Sequence, residues 1–396
     1  MTVPLTPASP SVHRPGPTGN GPDLAAGARA EVPVAARSRR PHRGWLLLGV
    51  PLVIGALVLG VLLVRGSSGS PEPGTLPALA GGPPSEERAR RLLGLAPSEQ
   101  PWHSGAWAAG GVASTARVNG FGDWRGTPVD AATVYPETRT WQSIHDSRWH
   151  IETFTGFQGV LAYGLPMLPD EKGSDDFASV VAGDHDWVYE QVARDLVDSG
   201  RGNSIVRIGW EANGDWFPWN ATASTAGAYV AAYRHVVGVL RGIAPDLVID
   251  FDLGCGTTLR GQQDRMDALT LLYPGDDAVD LVGCDFYDWH NTRSTDEASW
   301  QATIRPADSV GIADVADFAR AHGKGLTYPE WGLASTQQDG VGDNPFFVEK
   351  VRDFFEANAD VLVLESYFSE PETTLANSLW DPVQMRKSAE LYRRLW

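Results

Sequence analysis

The chain has 396 residues, 42% hydrophobic and 20% charged, with a formal net charge of −17. That length suits one large domain or two modest ones. The acidic balance disfavours nucleic acid and anionic membrane surfaces as partners, and favours neutral over acidic polysaccharides.

Residues 1–44 are rich in Pro, Gly, Ala and Arg and carry no apolar period, which reads as a disordered basic tail. Trp45 to Val64 is an uncharged apolar run, about the ~20 residues that a helix needs to cross a bilayer. Arg37, Arg39, Arg40 and Arg43 precede it and only Arg65 follows closely, so the positive-inside rule places the tail in the cytoplasm and the rest outside. A cleaved signal peptide is the competing reading; the long preceding tail and the length of the run favour an uncleaved, single-pass anchor in the cell membrane. Residues 65–96 read as a Pro/Gly/Ser-rich linker, with a short capped helix within Ser85 to Leu93.

From residue 97 to 396, β-type apolar runs alternate with helix-period stretches. The expected strands are Gly105 to Ala109, Val129 to Val134, Gln158 to Tyr163, Ile205 to Trp210, Leu247 to Phe251, Val279 to Asp285, Gly325 to Pro329 and Val361 to Ser366. Helical periods show in Val188, Val192 and Leu196, in Tyr229, Tyr233, Val236, Val237 and Leu240, and in Phe347, Val351 and Phe354. This alternation predicts a (β/α)8 TIM barrel with its site at the C-terminal ends of the strands. A doubly wound open sheet is the alternative, but it would not bring acids from the fourth and seventh strand ends to one mouth.

Those acids are Glu211, within Val206 to Trp219 (VRIGWEANGDWFPW), and Glu330, within Gly325 to Leu333 (GLTYPEWGL). Tryptophan beside a carboxylate suits a sugar site, because indole covers the apolar face of a pyranose while the carboxylate does acid, base or nucleophilic work. Strand parity groups Arg207, Gly209 and Glu211 on one face, Gly283, Asp285 and Tyr287 on another, and Leu326, Tyr328 and Glu330 on a third. Glu365, Asp252 and Asp285 are rival nucleophiles, or buried hydrogen-bonding acids. Trp216, Trp219, Trp289 and Trp331 are candidate cleft walls or core residues, and Asn213 a substrate contact or a loop cap. Tyr367 and Phe368 are expected to floor the sugar site, and Trp107 and Trp124 to form remoter platforms or to pack the barrel. The two cysteines, Cys255 and Cys284, lie near successive strand ends on the exported side, where a disulfide can persist; two separate buried thiols are the alternative. Parity points Cys284 at the helical shell. No residue spacing suggests a metal site.

Val206 to Trp219, together with Tyr273 to Tyr287 (YPGDDAVDLVGCDFY), resembles the family 26 glycoside hydrolases of clan A, which include β-mannanases, β-1,3-xylanases and β-glucanases. The resemblance implies that Glu211 is the general acid/base, Glu330 the nucleophile and Tyr287 the phenol bonded to it. Trp210 stands where the family often has His, which bears on the sugar more than on the reaction. The expected protein is therefore an extracytoplasmic retaining hydrolase of monomeric catalytic domain, endo-acting on a neutral β-linked polysaccharide or oligosaccharide, without metal or organic cofactor. A catalytically silent glycan-binding receptor, or a factor that trims surface polysaccharide during assembly, are the alternatives.

Overall fold

The computed structural model describes Arg88, Leu92 and residues 98–396 apart from 109–112, 174–175 and 373–374. The predicted tail and the predicted membrane-spanning run, Trp45 to Val64, lie outside the described residues. Among those residues no helix is long and apolar enough to cross a membrane.

Eight parallel strands close into a barrel in sequence order. They are β1 (His103–Ala108), β2 (Ala131–Val134), β3 (Val160–Leu165), β4 (Ile205–Ile208), β5 (Val248–Gly254), β6 (Leu281–Asp288), β7 (Gly325–Leu333) and β8 (Leu362–Ser369). Closure is made by β1 on β8, paired from His103↔Leu364 to Ala108↔Ser369. Each strand leads into helix, and the three periodic stretches form Asp186–Asp198, Ala226–Ile243 and Pro345–Ala357. Their apolar stripes are buried, as amphipathic helices packed on a sheet require.

The barrel interior changes character along its axis. At the N-terminal end Ala131, Val160, Ala162, Ile205, Val248, Leu281 and Leu364 form an apolar plug that Leu92 joins. Halfway up, hydroxyls enter: Thr133 bonds Ser366, and Thr327 donates to Asp250 at 2.8 Å. Gly283 makes this layer possible, because a Cβ there would stand 2.0 Å from Thr327 Oγ1. At the C-terminal mouth the filling is charged.

The folded unit reaches back before residue 97, into the stretch predicted as linker. Arg88 and Leu92 are both helical, as a capped helix there predicts. Arg88 Nε lies 2.9 Å from Asp280 Oδ1, and His103 Nε2 lies 2.6 Å from the Leu92 carbonyl. Cys255 and Cys284 form a disulfide with Cα atoms 5.6 Å apart, which resolves the open alternative. Both sulfurs lie on the shell side, where Cys284 joins the outer hydrophobic core.

Candidate active site

The position of Glu330 depends on an irregularity that simple alternation misses. The register of β7 against β8 shifts between Tyr328 and Trp331, so two successive inward positions are Thr327 and Glu330 rather than residues two apart. Tyr328 is thereby turned outward, donating to the Ile312 carbonyl at 2.7 Å, which corrects the expectation that it shares a face with Glu330. The Glu330 carboxylate is clasped on both oxygens. Tyr287 Oη donates to Oε2 at 2.7 Å, Arg207 Nη1 donates to Oε1 at 3.1 Å, and Tyr135 Oη donates to Oε1 as well.

Glu211 arrives differently. β4 ends at Ile208, and Gly209 (φ 50°) and Glu211 (φ 53°) then take left-handed backbone, so it is this turn and not strand parity that aims the carboxyl at the mouth. A glutamate held at positive φ is strained, as residues at functional sites often are. The turn is fixed by Gly209 N–H to the Leu165 carbonyl at 2.9 Å and Glu211 N–H to the Asp252 carbonyl at 3.1 Å. Trp216 Nε1 donates to Glu211 Oε2 at 2.8 Å. Desolvation, and after it the charge of Glu330, push the Glu211 pKa up to about 8 despite that indole. Such a shift favours the protonated carboxyl, the form that can give up a proton.

Arg207 is the hub beneath both. It is wholly buried, and besides Glu330 it meets Asp252 through Nη2 at 3.0 Å and Asp285 through the same nitrogen. One guanidinium cannot neutralise three buried carboxylates, so protons are retained among them. Burial raises Asp285 well above the carboxylate range and Asp252 to about 6, with Arg207 opposing both shifts. These two acids, weighed from sequence as rival nucleophiles, are fully buried supports of the arginine.

Several predicted sugar contacts lie elsewhere. Trp219 is buried, donates to the Trp210 carbonyl at 2.7 Å and stacks on Phe217; it is core, not cleft wall. Trp331 points into the shell, where Nε1 donates to Glu365 at 2.6 Å and the ring stacks on Trp396. Tyr367 also faces the shell, its hydroxyl on the Asn377 carbonyl at 2.9 Å, so Phe368 alone of that pair reaches the mouth. Asn213 spends its amide on Gly254 and Thr257, clamping the loop after β4 to the end of β5. Trp124 stacks on Tyr392 in the shell.

What remains at the mouth is Trp216, 40% exposed, with half-buried Trp289 and Trp107. Trp107 stacks on Phe368, and Trp289 lies 5.4 Å from the Tyr287 ring. A cavity of about 300 Å³ opens beside Trp216, between Asn213 to Trp216 on one side and Thr257, Thr258 and Arg260 on the other. The site residue that sequence reasoning missed is Tyr135. Its signal was its place, directly after the expected second strand, which is where a barrel keeps its chemistry.

A closed (β/α)8 barrel with two glutamates, two phenols and a buried arginine at its C-terminal mouth defines the structural class. Residues 162–330 match the model of Glycosyl hydrolase family 26, a segment that begins in β3 and ends on Glu330, and the chain is a family 26-like protein. It is 32% identical over 150 residues to a mannan endo-1,4-beta-mannosidase of Bifidobacterium adolescentis, covering 37% of this chain and 14% of that protein. It is 34% identical over 201 residues to endoglucanase H of Acetivibrio thermocellus, covering 46% and 21%. The chain thus spans only 14% and 21% of the length of these two curated relatives. Among solved structures, a GH26 beta-mannanase from Bacteroides ovatus superposes with a TM-score of 0.55 at 16% identity, covering 79% of this chain and 93% of that one. A modular endo-beta-1,4-mannanase from Cellulomonas fimi gives 0.54 at 19%, covering 78% and 74%. At such identities the likeness concerns the fold.

Proposed function

We propose that the chain is a retaining glycoside hydrolase, endo-acting on a neutral β-linked polysaccharide of the mannan or β-glucan kind. The observation that carries this reading is the division of labour between the two glutamates. Burial and the charge of Glu330 push the Glu211 pKa up to about 8, whereas Glu330 is held on both oxygens by two phenols and a guanidinium, all of them hydrogen-bond donors. In the first half-reaction a Glu330 oxygen bonds the anomeric carbon while Glu211 protonates the departing glycosidic oxygen. In the second, Glu211 takes a proton from water, whose oxygen displaces Glu330. Trp216, Trp289, Trp107 and Phe368 offer the faces for pyranose rings. The mannosidase and endoglucanase names of the matched relatives support the substrate class.

The test is hydrolysis of mannan, mixed-linkage glucan, cellulose derivatives and β-1,3-xylan by the full-length chain, with product anomers read by NMR. Retained β-configuration and mid-chain cleavage are expected; inversion would reject the double displacement. The arginine-flanked run Trp45 to Val64 supports an anchor that holds the barrel outside the cell. Protease added to intact cells should then release the barrel, and a freely soluble mature protein beginning after residue 65 would reject the anchor.

A further inference from the structure

Tyr135 is built into the site more firmly than a surface phenol. Its ring is held by Trp107, Trp210 and Phe368 at centroid distances of 5.3, 5.4 and 6.2 Å. Its hydroxyl lies 2.7 Å from Arg207 Nη1 and contacts Glu330 Oε1. The direction of this chain is fixed by chemistry. Arginine can only donate, so the phenol accepts from it and gives its own proton to Glu330. Each bond polarises the next.

Resting on the double-displacement reading above, we infer that Tyr135 serves chiefly the second half-reaction, as a donor to Glu330 when that group departs. In the first step Glu330 forms an ester bond to the anomeric carbon, the glycosidic C–O bond breaks, and its electron pair leaves with the Glu211 proton. The carboxylate charge is spent. In the second step water gives its proton to Glu211, its oxygen bonds the anomeric carbon, and the ester C–O bond breaks with its pair returning to Glu330. The charge is restored. A donor fixed on Glu330 stabilises the charge that develops in the second step, and weakens the carboxylate as attacker in the first. Tyr287 holds the other oxygen, so the two phenols divide the carboxylate between them.

The experiment is Tyr135→Phe in the full-length protein, assayed on the 2,4-dinitrophenyl β-glycoside that the wild type hydrolyses. Phenylalanine keeps the ring contacts, and an unchanged melting temperature checks this. Loss of a bond to a charged group should slow the second step roughly ten-fold. Then kcat and KM fall together, kcat/KM stays within about three-fold, and a stoichiometric burst of dinitrophenolate precedes the slow phase. An equal fall of kcat and kcat/KM would assign Tyr135 to placing Glu330 in both steps and overturn the inference, as would unchanged kinetics. If Glu330→Ala still turns over, or no dinitrophenyl glycoside reacts, the double-displacement reading itself fails. If Glu330 traps a 2-fluoro sugar while Tyr135→Phe is silent, only the role of Tyr135 is lost.

Discussion

The inside of the barrel mouth and the shell behind β8 each enclose a glutamate, and the two are treated in opposite ways. Glu330 projects inward at 8% exposure, bonded to a cation and two phenols and open to the cleft. Glu365 projects outward, fully buried, bonded by Ser104 Oγ, Trp331 Nε1 at 2.6 Å and Trp396 Nε1 at 2.9 Å. Burial raises its pKa, and its direct donors are all neutral. A reactive carboxylate needs access and a compensating charge, whereas a structural one needs donors and no water. The β7 irregularity sets both at once: it turns Glu330 in and Trp331 out, where that indole becomes a support of Glu365.

The sharpest way to break this contrast is Glu330→Ala. Turnover of every substrate should fall by at least ~10⁴-fold, because no covalent intermediate can form. A 2-fluoro glycoside with an activated leaving group should label the peptide from Tyr328 to Trp331. Labelling of Glu365 would reverse the assignment of the two compartments.

Glu211→Ala should cost about 10²–10⁴-fold on polysaccharide, where the leaving group needs a proton. It should spare the first step with dinitrophenyl glycosides, whose intermediate then accumulates until azide releases it. The pH profile gives the same information without mutation. A pKa raised to about 8 means that the acid is protonated below that pH and loses its proton above it, so polysaccharide hydrolysis should fall on an alkaline limb near 8. That limb should vanish in Glu211→Ala acting on an activated substrate.

The barrel was legible in the sequence because each strand is a short apolar run and each principal helix carries its own stripe, local signals that need no knowledge of neighbours. Glu211 and Glu330 were legible as strand-end acids beside tryptophan. Their partners were less so, for physical reasons. Parity placed Asp285 and Tyr287 correctly on β6, where the chain stays regular through both. It failed for Tyr328, because an irregularity is invisible in a pattern of period two. It failed to explain Glu211, whose aim comes from two left-handed residues. Tryptophans 216, 219 and 331 look alike in sequence; only packing decides that the first meets the cleft and the others the core. Tyr135 is distant in sequence from both acids, and only barrel closure brings it to Glu330.

The disulfide sharpens the comparison from the shell side. It ties the residue after β5 to the middle of β6, the strands that supply Asp252 and Asp285 to Arg207, and it closes a separation of 29 residues. Replacing both cysteines by alanine should cost about 3–4 kcal/mol of stability by released loop entropy. Denaturant unfolding measures it; a loss under ~1 kcal/mol would mean that β5 and β6 hold their register without the tie.

The smallest expected effect belongs to Glu365→Gln, and it tests the other compartment directly. Glutamine has nearly the shape of glutamate but replaces one accepting oxygen by an NH2 group. In the wild type Oε1 meets Ser104 Oγ and Trp396 Nε1, and Oε2 accepts from Trp331 Nε1. In either orientation the new NH2 must face an indole N–H, donor against donor, at a fully buried position. One hydrogen bond is lost and one buried donor is left unmet, a cost of about 1–3 kcal/mol. The ionisation works the other way. A folded-state pKa raised above the unfolded value means that wild-type stability falls as pH rises through that interval, and glutamine removes the dependence. The variant should therefore be less stable than wild type in acid, where Glu365 is protonated, and the gap should narrow towards neutral pH. Hydrolysis at saturating substrate should stay within about two-fold of wild type throughout, since no part of Glu365 reaches the mouth. A large loss of kcat with stability intact would show that the wall between shell and cleft is not the boundary the geometry draws.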